Sequence, residues 1–497
     1  MPSVLSPISP SDFNELVRNF GADIPLKRLF QLAMVRGCKT IVHIDGFEDE
    51  EYLAEYESLY KHLFKEYPDK ADCLYFFSSE FSLADLAHIS DFESSYLGCV
   101  ILRPFPSQKV AKAIIAPQED QNNPKRSFVL CQGEFKQEVL GCEMAVKGFP
   151  FIQQDSHVGT CAHAALAMVA LYLATEAGAK AMSMPEIVEI TSDISRRGRE
   201  ISAGLGIEQI SEVIKAMDRS PLVYEFRIDD ERARRFPPER VIYRYIESGI
   251  PIILGIPTAK SGHALTIVGH SFDPDMWWPM AEKPYYSQGS SEELYSCSTA
   301  WIDNFIVHDD NFGPYSTIQT TLLHAMAIQG FLWVVIPLPK GIYLKGEDAE
   351  SYAYEMISSV LQLMPKDAIE RAVDAKTAAW FNRLTEAHGN QELVLRTFLI
   401  ESDELVNNYA APNLRGFYGN MTFPKKVWLT EISTPELFCQ FRLRLGEIVM
   451  DPTAMRAFGH MFLSIHLPGL AITRDTVSEA WTVFTLQDDY PTEHVIR

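Results

Sequence analysis

The sequence predicts an α+β chain in which a central run of helices feeds an antiparallel sheet, flanked on each side by an α/β-type accessory region. Three observations predict it. Residues 161–171 are an apolar helical run that opens directly after the turn residues Gly159 and Thr160. Short apolar strands then follow at 251–256, 262–270, 305–310 and 330–336. Helices first and strands afterwards is the order of an α+β unit, because a parallel sheet needs the two to alternate. Third, Pro337-Leu338-Pro339-Lys340-Gly341 punctuates the chain where that unit ends. The regions are therefore residues 1–145, 146–338 and 339–497.

In the first region, residues 39–44 read as a strand. Residues 50–67 read as a helix with Leu53, Tyr56, Leu59, Tyr60 and Leu63 on one face. Residues 73–77 and 96–102 read as strands, and 118–126, polar and carrying Pro124, as a loop. In the central region, 184–191 is a helix with Pro185 in its first turn, and 204–214 opens another. Residues 241–248 form a short helix closed by Gly249. In the last region, 349–363 and 368–387 read as helices, and 393–400, 426–432 and 445–451 as strands.

A chain of 497 residues with 47% hydrophobic and 22% charged residues has an ordinary globular composition. Its formal charge, 44 − 66 = −22, argues against a general binder of nucleic acid or anionic membrane, since both want basic surface. No apolar run is long enough to span a bilayer, and the first residues lack the pattern of a signal peptide. The eight cysteines are scattered without a Cys-x-x-Cys pair, which suits free thiols in a reducing compartment. The expectation is a cytoplasmic protein with no membrane and no nucleic-acid partner.

The chemistry concentrates on Cys161. A thiol at a helix N-terminus feels the positive end of the helix dipole, which favours the thiolate. Unpaired backbone N–H groups there can also hold an oxyanion. His263 lies in a strand between Gly262 and Ala264, small neighbours that admit close approach. Asp310 closes a strand before Asn311-Phe312-Gly313-Pro314. Nucleophile, base and orienting carboxylate are the parts that acyl transfer needs. Alternation along a strand would put Asp309 and Asp310 on opposite faces, so either could orient His263.

These residues resemble the papain-like cysteine peptidase superfamily, and most closely its branch of bacteriocin-leader peptidases. The resembling stretches are Gln154 to Cys161 and Ser248-Gly249-Ile250-Pro251 with the apolar run after it. Gly262-His263-Ala264-Leu265-Thr266-Ile267-Val268-Gly269 and the strand ending in Asp310, with Gly313 beyond it, complete them. The likeness covers residues 146–338. It implies Cys161 as nucleophile, His263 as base, Asp310 as orienting group and an oxyanion-hole Gln, with no cofactor and no metal. The family interval from Gln to Cys is six positions. Here Gln154 stands seven before Cys161, Gln153 eight and Asp155 six, so a one-residue bulge would bring Gln154 into register. The residue after Cys161 is Ala162 rather than the aromatic of the classical peptidases, so the fold and triad are better supported than proteolysis.

The expected activity is thiol-dependent hydrolysis or acyl transfer at an amide, with a peptide or protein as substrate. The competing class is a non-catalytic binding or scaffold protein that keeps a papain-like shell. Zinc ligation by His157, Cys161, His163, His263 and Asp310 ranks below the triad, because Cys161 and His163 face apart on a helix. His163 is expected to pack against an adjoining domain. No complete dinucleotide or P-loop motif and no Gly-x-Ser-x-Gly elbow is present. Arg196-Arg197-Gly198-Arg199-Glu200 reads as a solvated loop. The aromatics Trp277, Trp278, Tyr285, Tyr286 and Tyr295 read as a lid or as a packed excursion.

Overall fold

The computed structural model describes residues 2–7, 9–118, 126–155, 160–195, 204–226, 237–258, 262–274, 294–330, 332–410, 415, 418–453, 460–475, 479–486 and 491–493. His157, the basic run at 196–200, Trp277, Trp278, Tyr285, Tyr286 and all but the ends of the 118–126 loop lie outside them.

Three antiparallel sheets carry the fold. The first runs through Pro2–Leu5, Thr40–Phe47, Ala71–Phe77, Tyr96–Leu102 and Val110–Ile115 in chain order. Two helices precede its second strand, Pro10–Phe20 and Ile24–Val35. Ser9 and Asp23 cap them, and each has a proline in its first turn. The helix expected over 50–67 is only Glu50–Ser58, because Leu59 leaves helical geometry at φ −130° and a single 3-10 turn follows.

The central sheet follows the order Gly313–Gln319, Asn304–Asp309, Gly262–Phe272, Ile252–Pro257, Leu332–Pro339, Arg219–Phe226. All these pairings are antiparallel. The helix Cys161–Ala177 packs on it and is apolar on every side, with Ala164, Ala165, Leu166, Val169 and Ala170 fully buried. Its alanines let the strand Gly262–Phe272 come close. The third sheet is a meander of Val394–Glu401, Lys426–Ser433, Gly446–Met450, Phe462–Leu467, Leu470–Arg474 and Trp481–Thr485.

The mixed helix-and-antiparallel-sheet class is therefore α+β. The flanking regions differ from the α/β-type expectation, since both are built on antiparallel neighbours. In the last region strands that follow one another pair antiparallel, even where residues 402–425 separate two of them. Among the described residues, the one parallel pairing of the third sheet is the two-residue strand Ser296–Cys297 against Val394 and Leu395.

The sheets do not stop at the expected boundaries. Arg126–Val129, from the first region, pairs with Gly269 to Phe272 of the central sheet. A side chain at Gly269 would lie 2.0 Å from the Phe128 carbonyl oxygen, so only glycine admits that strand. Ser296–Cys297, from the central region, joins the third sheet. Tyr295 is buried and donates to Glu350 at 3.2 Å, so this end of the aromatic excursion is packed inside.

Buried ion pairs bolt the central and last regions together. Glu350 is fully buried and meets both Arg240, at 3.1 Å, and Arg244. Arg396 bridges Glu247 at 2.5 Å and Glu431 at 2.8 Å, and His270 meets Glu247 at 2.7 Å. Removing one partner of a buried pair leaves a naked charge, which costs about 3–5 kcal/mol. Glu350→Ala should lower the unfolding free energy by an amount of that order, read as a lower urea midpoint with an unchanged slope. Lys61→Ala, at an exposed pair on the surface, should leave the midpoint where it is.

Candidate active site

The approach to Cys161 is held by the first region. Arg103, buried against Glu55, donates to the Gln153 carbonyl at 3.0 Å, and the Val110 N–H donates to Gln153 Oε1 at 3.1 Å. Tyr60 donates to Asp155 at 2.6 Å. The Pro150 carbonyl accepts from His308 Nδ1 at 3.2 Å, and the Phe149 N–H donates to the Tyr315 hydroxyl at 3.0 Å. Gln153 and Asp155 are thereby committed to structure. Gln154 between them is half-buried and makes no hydrogen bond with a described residue. Residues 156–159, which join it to Thr160, lie outside the described residues.

Thr160 caps the helix and Cys161 is its first residue. The cap is closed by a histidine where glutamate is usual. The Thr160 N–H donates to His163 Nδ1 at 3.1 Å, and His163 Nε2 lies 3.0 Å from Thr191 Oγ1. The Thr191 hydroxyl already donates to the Ile187 carbonyl, so the proton between the two belongs to His163 Nε2. Both ring nitrogens are used in the neutral form, and burial pushes the imidazole down to about 4. His163 packs on the helix Met184–Ser195 of its own region, not on an adjoining domain as expected. It is a capping group and not a base.

The sulfur of Cys161 is half-buried and accepts the Ala264 N–H at 3.2 Å. That contact seats the helix mouth against the strand beside His263. The His263 side chain is 11% exposed, and its Nε2 lies 3.1 Å from Asp309 Oδ1 and 3.6 Å from Asp310 Oδ1. The Asn311 amide is 3.4 Å from the same nitrogen. With Nε2 so occupied, Nδ1 is the nitrogen left for the thiol. Burial opposes the imidazolium, but hydrogen bonds to Asp309 and Cys161 and the charges of both aspartates outweigh it. They lift His263 to about 10.

Asp309 and Asp310 were expected on opposite faces, yet both carboxylates reach one ring nitrogen. The register slips between Val307 and Asp309, the strand ends at Asp309, and Asp310 sits in the turn that follows. Asp309 Oδ1 also accepts the Asn311 N–H at 2.9 Å, an Asx turn that fixes the carboxylate. Asp310 is 2% exposed, and neither of its oxygens has a hydrogen-bond partner in another described residue. Burial, with repulsion from Asp309, raises its carboxyl to about 7, against the pull of His263.

Cys161, His263, Asp309 and Asp310 are thus brought together from three separate stretches of chain. Of the five zinc candidates, His163 is committed to its cap, whereas His263 and Asp310 lie together with Asp309. One donor atom from each of those three falls within 4.8 Å of the others. A cavity of about 270 Å³ lies elsewhere, behind the Cys161 helix, between Ala167 and Leu171 on one side and Tyr52, Glu55 and Lys112 on the other. Sequence reasoning missed the Ala264 N–H and the capping role of His163; Thr-x-x-His at the helix start was the available signal for the second. No family model matches the chain. No curated protein matches it.

Both site groups are shifted upward, so both add stability at low pH that is lost as pH rises. The Asp310 contribution is full below 3.8 and fades as pH passes about 7. That of His263 is full below 6.5 and fades as pH passes about 10. Thermal melts from pH 4 to pH 10 should therefore show a smaller fall for Asp310→Asn than for wild type in the lower half of the range. His263→Gln should show a smaller fall in the upper half. A wild-type melting temperature that rises relative to both variants across the range would contradict the assignment.

Proposed function

We propose that this chain is a thiol-dependent hydrolase or acyl transferase acting on an amide, in a peptide or protein, through a papain-like arrangement of Cys161, His263 and the Asp309–Asp310 pair. The carrying observation is the seat of Cys161. Its sulfur lies at a helix N-terminus and takes the Ala264 N–H at 3.2 Å, beside an imidazole that carboxylates hold in the charged form. Further support comes from chain order. A helix bearing the thiol is followed by antiparallel strands bearing first the imidazole and then the carboxylates. No disulfide joins any of the eight cysteines, which supports a reducing compartment such as the cytoplasm.

In this reading the resting proton sits on His263, between the sulfur and Asp309. The thiolate attacks the carbonyl carbon, and the developing oxyanion is met by free N–H groups at the helix mouth, with Gln154 as the side-chain candidate. Protonated His263 then gives its proton to the leaving amine, and the acyl group stays on sulfur. Neutral His263 next takes a proton from water, or from an acceptor amine, as that group attacks the thioester. Asp309 keeps the ring in its tautomer throughout, through a carboxylate fixed by the Asn311 N–H.

Labelling with an electrophilic acyl probe, read by mass spectrometry, tests the proposal. Wild type should be labelled at Cys161, and Cys131→Ala and Cys142→Ala should behave like it. Cys161→Ala should abolish labelling. His263→Ala should slow it by roughly 10²-fold or more, the usual worth of a positioned acid–base group. Equal rates in wild type and His263→Ala would mean an accessible but unactivated thiol, and the chain would then be a binding or scaffold protein.

A further inference from the structure

We propose that His263, Asp309 and Asp310 form a site for one divalent transition-metal ion of the zinc class, on the edge of the imidazole turned away from Cys161. Three donors of the right kinds converge there. One is an imidazole nitrogen and two are carboxylate oxygens, all within 4.8 Å of one another. The spacing suits the ion. Zinc bonds nitrogen and oxygen at about 2.0–2.2 Å, so neighbouring donors of a tetrahedral site lie about 3.4 Å apart. His263 Nε2 is 3.1 Å from Asp309 Oδ1 and 3.6 Å from Asp310 Oδ1, one on each side of that value.

A second observation points to a ligand. Asp310 is 2% exposed and neither of its oxygens has a hydrogen-bond partner in another described residue, while its Oδ1 is aimed at His263 Nε2. A buried carboxylate served only by its own N–H and by a ring nitrogen 3.6 Å away is under-satisfied, and a cation would satisfy it. The surroundings have the supports of a ligated site as well. Asp309 is held by the Asn311 N–H at 2.9 Å, and the strand Gly262–Phe272 carries His263 on a paired backbone. The exposed Asn311 amide lies 3.4 Å from the same nitrogen.

The consequence rests on the Cys161–His263 reading. When the ion binds, a metal–nitrogen bond forms at Nε2, and the proton there leaves to solvent. The proton on Nδ1 stays, still facing the sulfur. A ring ligated at Nε2 cannot accept a second proton, and it gives up the Nδ1 proton reluctantly. The ion would leave the thiol activated for attack while stopping the proton return to the amine. This is a reversible off state, distinct from an ion seated on the sulfur.

Equilibrium dialysis of the full chain against zinc chloride tests the site without any turnover. Wild type and Cys161→Ala should share a zinc equivalent that Asp310→Asn weakens at least about tenfold, the cost of even an outer-shell change at a metal centre. Asp309→Asn gives the same comparison should Asp310→Asn fail to fold. Unchanged binding in the aspartate variants would overturn the proposal. Loss of that equivalent in Cys161→Ala would also overturn it, because the ion would then sit on sulfur. Neither failure touches the hydrolase reading, which acyl-probe labelling tests in metal-free protein.

Discussion

A helix with no polar face must be enclosed on all sides, and Cys161–Ala177 is such a helix. The central sheet covers one side of it, through the strand that carries His263. The first region covers another, leaving a cavity between Ala167, Leu171 and Lys112. Enclosure fixes the helix axis, and the axis fixes where its first residue emerges. The Ala264 N–H then meets the Cys161 sulfur at 3.2 Å. Packing thus seats the thiol, since most of the helix and the middle of the strand are buried.

Electrostatics finishes what packing begins. Across this molecule buried charges come in closed sets: Arg103 with Glu55, Arg240 and Arg244 with Glu350, Arg396 with Glu247 and Glu431. The site differs in Asp310, buried with no hydrogen-bond partner in another described residue, beside an imidazole that Asp309 already serves. Where those sets match each acid with an arginine, the site places a second carboxylate beside one imidazole. The result is an imidazole whose basicity is far above its ordinary value, held by groups that are themselves fixed by turns and backbone donors.

Much of this was legible in the residues. The Cys161 helix could be read because its apolar run is unbroken, and the strands at 252–257 and 262–272 because Ile, Leu and Val cluster between glycines. Gly249 closes its helix at φ +68°, as its position suggested. The strand Gly313–Gln319 was not legible, because Pro, Ser, Thr and Gln give it no apolar alternation. Residues 368–387 read as one helix but form two, Lys366–Ala372 and Ala375–Gly389, since Asp374 caps the second and stops the first from continuing. The joint approach of both aspartates to His263 was hidden as well. It comes from a slip in register near the strand end, which side-chain alternation cannot report.

The strand Arg126–Val129 bears on how such a chain can be inherited. It belongs by sequence to the first region and by hydrogen bonding to the central sheet, and Gly269 exists in a form that only this partner requires. Exchange of the first 145 residues for an unrelated block would strip a row of backbone donors and acceptors from the sheet that carries His263, leaving a raw edge for other chains to pair with. The same exchange would remove Arg103, Val110 and Tyr60, which anchor the approach to Cys161. The two regions are therefore a single hereditary unit: recombination could replace them together, but neither could be traded alone.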